Sequence, residues 1–323
     1  MSPKPDMPSP ALFYLDQRDL ITLAQVQTGA PSASDVAGEC KELIAAIACG
    51  DILCPMSQSH VLETWNLTNP KQRTDVGWTV IHASRRLALA PWHTVWRLEV
   101  DALAAALAGG GRPLMPAVLG VGLVFALGFA DADWTPPWPA DADAGLIAFT
   151  EAQTLAEPGR HGLTPPDQER REAWEQWAVA ATKQANTLLD GRANYDEQDR
   201  LAAATLAMLG RDFVGALIGV DVHDVVLEQM RDAGPWSVVQ HLPSLAVFTE
   251  LQRLRYPNAA RDYKPQDLHD LRYLSVALAY CDVVSVDKFW ADIVSRSDWL
   301  GANAARVVTG RHAIRDGLSV AAT

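Results

Sequence analysis

The chain has 323 residues, 49% of them hydrophobic, enough for one large domain or two of ordinary size with a real core. Thirty-nine acidic against 27 basic residues give a net charge of -12, which argues against wrapping long duplex DNA, because phosphate binding rests on Lys and Arg. The four cysteines, Cys40, Cys49, Cys54 and Cys281, form no CxxC pair and no disulfide-rich spacing.

The opening MSPKPDMPSP is a Pro-rich polar tail and not a signal peptide, so a reducing cytoplasm is the expected compartment. Ala11 to Leu15 is a short apolar run with Phe and Tyr, expected as a buried strand that ends at Asp16. Leu20 to Val26 then begins an amphipathic helix, and residues 28–35 read as a loop. Val36 to Cys49 is helical in pattern and is closed by Gly50. Ile52 to Pro55 reads as a second short strand. Ser57 and Ser59 are the N-caps on offer for a helix carrying Val61, Leu62 and Glu63.

From about Asn69 to Arg261 the pattern is mostly helical, with segments at 80–89, 95–108, 167–189, 198–209 and 212–218. Turn-rich material at 134–145 and a loop at 157–167 interrupt it. The longest apolar run, Ala117 to Ala130, has fourteen residues, short of the about 20 that cross a bilayer. It reads as a buried core helix, and no membrane association is expected. The arginines Arg73, Arg85, Arg86, Arg97, Arg253, Arg255 and Arg261 are scattered through this region; they could form a nucleic-acid strip, but solvated helix faces explain the pattern at lower cost. Trp65, Trp78, Trp92 and Trp96 could stack on bases, but packing between helices is the expected reading.

The far end changes character. Asp267 to Tyr280 reads as a helix, Val283, Val284 and Val286 as a strand with Asp287 at its exit, and Lys288 to Val294 as another helix. A helix followed at once by a Val-rich strand is the signature of a parallel α/β unit. Sites in such sheets gather at the carboxyl ends of the strands, where Asp16 and Asp287 are both expected.

Four carboxylates therefore stand out: Asp16, Glu63, Asp270 and Asp287. Each alone has a plain reading as a strand terminator, a surface residue or a helix cap. Asp267 lies one turn before Asp270, and either can be a cap. If the four converge, like charges raise each other's pKa, and a divalent cation relieves the repulsion. Hard oxygen ligands select magnesium or manganese rather than zinc. Such a site hydrolyses a phosphodiester with an activated water and no covalent nucleophile. The ligand and water-orienting roles are not divided by the sequence. His60 and His269 lie beside these acids, with ordinary hydrogen-bonding roles expected.

At these residues the chain resembles the PIN domain family of metal-dependent nucleases. FYLDQRDLITLA looks like that family's first strand and helix, SHVLETWN its glutamate helix, and DLHDLRYLSVALAYCDVVSVDKFW its last helix and strand. The resemblance covers about a quarter of the chain. It implies an α/β fold, a three-layer α/β/α PIN-like core with a central parallel sheet. That core would be built from residues 11–68 and 262–315, with 69–261 as a large, mainly helical insertion. It implies metal-dependent hydrolysis of RNA with Mg2+ or Mn2+ held by Asp16, Glu63, Asp270 and Asp287, with Asp267 as the rival of Asp270. Many members are toxin subunits of toxin–antitoxin pairs, which implies an antitoxin, another protein or a second copy of the chain as partner. The family often has a small hydroxyl residue and Asn after its first Asp, where this chain has Gln17 and Arg18. Arg18 and Lys288 are then candidates for a substrate phosphate. Two alternatives stand beside this reading. One is a catalytically silent PIN-like interaction protein, its site plugged by a side chain such as Arg18. The other is a phosphohydrolase acting on a small phosphorylated substrate.

Overall fold

A computed structural model of the chain describes residues 10–111, 116–128, 142–158, 180, 197–255 and 265–321. The first half runs β1 (Ala11–Tyr14), α1 (Gln17–Gln27), a 3-10 turn (Pro31–Val36), α2 (Ala37–Cys49), β2 (Ile52–Leu53), α3 (Gln58–Asn66), α4 (Pro70–Ser84) and β3 (Leu87–Leu89). Then follow α5 (Trp92–Gly109), β4 (Leu119–Val121), α6 (Gly122–Leu127) and α7 (Ala144–Ala156). The second half holds α8 (Glu197–Gly219), α9 (His223–Ala233), α10 (Trp236–Val239), α11 (Pro243–Arg255) and α12 (Pro265–Tyr280). It closes with β5 (Val283–Val286), α13 (Lys288–Val294), α14 (Asp298–Asn303), β6 (Arg306–Thr309) and α15 (Ala313–Ala321).

Four strands pair in parallel in the order β2-β1-β5-β6. Phe13 faces Val283 and Tyr14 faces Val284 across the central pair. The sheet is extended past β2 by Met56, which exchanges bonds with Leu87 and Leu89 of β3 (2.9 and 2.8 Å) in a parallel bridge to Ala88. β4 then pairs antiparallel with β3.

Alternation along the strands sends side chains to two cores. Phe13, Leu15, Val283 and Val308 pack with Leu23 of α1, Leu43 of α2, Val80 of α4 and Ile314 of α15. Tyr14, Val284 and Val286 pack on the other side with Val100 of α5, Leu206 of α8, Leu251 of α11 and Leu271 of α12. A sheet covered by helices on both faces has no solvated side, which is why all four residues of β5 are buried. The fold is thus α/β, mostly helical, around a small parallel sheet. Val80 and Ile81 of α4 share the core of Phe13, so this helix belongs to the sheet's own cover.

Several elements differ from the sequence expectations. The segment 80–89 is the end of α4 followed by β3, because Arg85 and Arg86 take left-handed conformations (φ 47 and 67) that stop the helix. Ala117 to Ala130 is not one helix: β4 passes into the short α6 at Gly122, whose φ is 91. Residues 31–36 form a 3-10 turn that takes up most of the expected loop and Val36, so α2 begins at Ala37. Segments 198–209 and 212–218 are, as expected, two helices, the two arms of α8 on either side of a kink at Gly210 (φ 50, ψ -121).

The arginines are not solvated as a class. Arg255 is fully buried against Asp267, and Arg86 pairs with the buried Glu151. The tryptophans do pack between helices, as in Trp96 of α5 against Phe248 of α11, 5.0 Å between ring centres. The expected helix at 167–189 apart from Ala180, most of the stretches 134–145 and 157–167, and Arg261 lie outside the described residues. No single described helix is long and apolar enough to cross a membrane.

Candidate functional site

Because β1 and β5 are parallel neighbours, the segments leaving their carboxyl ends emerge side by side. Each begins a helix with an aspartate cap. Asp16 accepts the Arg18 amide (3.0 Å) ahead of α1, and Asp287 accepts the Trp290 amide (2.9 Å) ahead of α13. The cap uses one oxygen and leaves acceptor capacity facing outward.

α3 is locked to the end of β1 by His60. Its Nδ1 accepts the Ser57 amide (3.2 Å), so the ring proton is on Nε2 and donates to the Leu15 carbonyl (2.7 Å). The ring also stacks on Tyr14 at 4.7 Å. Burial drives its pKa down to about 4, so it is neutral at pH 7 and acts as a structural pin. Gln17 adds a second tie, donating to Thr64 Oγ1 at 3.1 Å. One turn beyond this pinned start lies Glu63, whose Oε1 accepts the Ser59 hydroxyl at 2.6 Å. α12 supplies Asp270 from its second turn, with the Trp290 indole near its Oδ2 at 3.5 Å.

Asp16, Glu63, Asp270 and Asp287 all line one pocket, walled also by Tyr14 and Tyr273. Three are half-buried and Asp287 is exposed at the mouth. Burial pushes the Glu63 carboxyl up to about 7; the Ser59 hydroxyl pulls it down, and the charges of Asp16 and Asp270 push it further up. The pocket thus gathers carboxylates whose charges act on one another. Among the described residues, however, no three His, Cys, Asp or Glu side chains stand close enough to hold one metal ion. The four share a wall without closing on a single point. The donor set matches a hard divalent cation in element and charge.

The other sequence candidates fall elsewhere. Asp267 is buried in its pair with Arg255 and is not in the pocket wall. Arg18 does not plug the pocket; its guanidinium lies 3.6 Å from Asp19. Arg18 and Lys288 line a neighbouring cleft together with Asp19 and Arg311. Burial raises the Asp19 carboxyl to about 6, while the Ser285 hydroxyl opposes this from just outside hydrogen-bonding geometry.

Sequence reasoning missed Ser59 as the partner of Glu63, although their i,i+4 spacing was a usable signal. It also missed Gln17 as a tie between α1 and α3. Nothing local could have found Arg311, which follows β6 and arrives only through strand pairing. No family model, no curated protein and no solved structure matches this chain.

Proposed function

We propose that this chain is a metal-dependent endoribonuclease with a PIN-like core, using Mg2+ or Mn2+ at the carboxylate pocket. The observation that carries the reading is that Asp16, Glu63, Asp270 and Asp287, spread over nearly the whole sequence, line one pocket at the carboxyl ends of parallel strands. The raised pKa of Glu63 supports it: burial is the main cause, and the charges of Asp16 and Asp270 add to it.

Asp16, Asp270 and Asp287 would hold the cation through carboxylate oxygens or bridging waters. The bound cation would supply charge for the phosphodiester oxygens and a water of lowered pKa. Glu63 titrates near neutrality, so its ionised form can take a proton from an attacking water at pH 7 to 8. Ser59 holds that carboxylate in place, and His60, neutral and doubly bonded, fixes the helix that carries it.

The test is cleavage of a mixed panel of labelled RNA and single-stranded DNA in manganese, wild type beside Asp16→Asn. Asn retains the N-cap, so the variant should fold. Loss of cleavage by on the order of 100-fold or more in the variant is the expected result. A folded wild type that cleaves nothing in manganese sinks the reading.

A second reading is a silent scaffold that binds partners through the same surface. The observation in its favour is that no three donors among the described residues converge on one ion. It predicts no divalent metal binding at all.

A further inference from the structure

The cleft beside the carboxylate pocket has room of about 380 Å³ and a basic rim. Three cations reach it from three separate elements: Arg18 from α1, Lys288 from α13, and Arg311 from the turn after β6. Gly310, with φ 91, makes the turn that carries Arg311 there. Arg311 pairs with Asp35 and Arg18 lies beside Asp19, while Lys288 forms no ion pair among the described residues. In a chain of net charge -12 this is a local reversal of sign.

The two cavities are joined by sequence steps of one residue. Asp16 and Gln17 line the carboxylate pocket, while Arg18 and Asp19 line the basic cleft. Asp287 lines the pocket, and Lys288 lines the cleft. The starts of α1 and α13 thus border both cavities, with Asp16 and Asp287 facing the pocket and Arg18, Asp19 and Lys288 facing the cleft. A strand passing from one cavity to the other would place different phosphates in each.

We propose that the basic cleft holds the phosphate next to the scissile one, so that the substrate is a polynucleotide strand with at least two phosphates and not a lone nucleotide. This rests on the nuclease reading of the carboxylate pocket, which sets which phosphate is the scissile one. Guanidinium forks suit phosphate oxygens, and an unpaired ammonium adds a mobile point charge.

Fluorescence anisotropy tests the proposal, on the Asp16→Asn background so that hydrolysis does not intrude. The probes are a labelled five-nucleotide RNA and a labelled dinucleoside monophosphate carrying one phosphate. The pentamer should bind at least about tenfold more tightly, with an affinity that falls with salt. Arg18→Gln combined with Lys288→Gln should remove most of that gap and lower the salt slope by about 0.7 for each phosphate no longer neutralised. Arg296→Gln with Arg315→Gln, which removes two exposed cations outside the cleft, should leave the gap intact. A gap that survives the Arg18 and Lys288 substitutions, or no gap in the parent, overturns the proposal. A wild type that shows the cleft-dependent gap yet never cleaves in manganese supports the cleft and sinks the catalytic reading alone.

Discussion

Asp267 meets Arg255 in a buried ion pair, and three residues later on the same helix Asp270 faces the carboxylate pocket. One turn of α12 therefore divides a structural acid from a candidate ligand. Removing one partner of a buried pair weakens what compensates the other charge, at a cost of up to about 3–5 kcal/mol. Asp267→Asn should lower the denaturant midpoint accordingly while its folded fraction still binds Mn2+. Asp270→Asn should cost less stability than Asp267→Asn and weaken Mn2+ binding. Equal stability of the two variants in urea would show that the division is wrong.

Glu63 gives a pH prediction with a definite sign. Its folded pKa of about 7 lies above its ordinary value of 4.5, so its contribution to stability is fully present below pH 4.5 and is lost as pH rises through 7. Glu63→Gln should match wild type near pH 4 and exceed it at pH 8 by on the order of 1–2 kcal/mol without divalent metal. Mn2+ relieves the same repulsion, so its stabilisation of wild type should grow from pH 5 to pH 8. Thermal unfolding with and without Mn2+ across that range measures both. Glu99 titrates in the same window, which is why the comparison is with the variant and not with wild type alone.

His60 gives the opposite slope. Its folded pKa of about 4 lies below 6.5, so its stability contribution is present above 6.5 and is lost as pH falls through 4. His60→Ala strands the Ser57 amide and the Leu15 carbonyl and leaves a cavity, at about 2–4 kcal/mol at pH 7. Urea unfolding at pH 7 and pH 5 should show that cost shrinking toward acid. A loss of activity with unchanged stability would instead make His60 a chemical participant.

In the proposed nuclease, Ser59 is a positioning residue. Ser59→Ala removes the hydrogen bond that favours ionised Glu63, so the Glu63 pKa should rise further. The acid limb of the pH–rate profile should move to higher pH by up to about one unit, and Ser59→Thr should restore it. A uniform fall in rate at every pH would point to a packing defect.

Much of the sheet was legible because its signals are local. Ala11 to Tyr14 and Val283 to Val286 are apolar runs closed by acids, and the spacing from Asp270 through Tyr280 to Asp287 is that of a helix, turn and strand. Asp16, Glu63, Asp270 and Asp287 could be named from those boundaries, but their grouping in one pocket depends on the parallel pairing of β1 with β5. Residues 80–89 were misread because Leu87–Leu89 continues an apolar pattern, and nothing in Arg85-Arg86 announces two left-handed residues. Ala117 to Ala130 misled for a related reason. Gly120 leaves no space for a Cβ under the Phe125 ring, and Gly122 sits at φ 91, so these glycines mark a strand–helix corner and not a tight helix. Arg255 looked like a surface charge until Asp267 was brought against it.

Whether the four carboxylates hold a divalent cation is decided by a calorimetric titration of wild type with Mn2+ at pH 7.5, repeated on Asp16→Asn and Asp287→Asn. Saturable binding by wild type is expected, weakened by about tenfold or more in both variants, which keep their helix caps and their fold. No heat of binding to folded wild type, or binding unchanged in both variants, would contradict a cation site at this pocket.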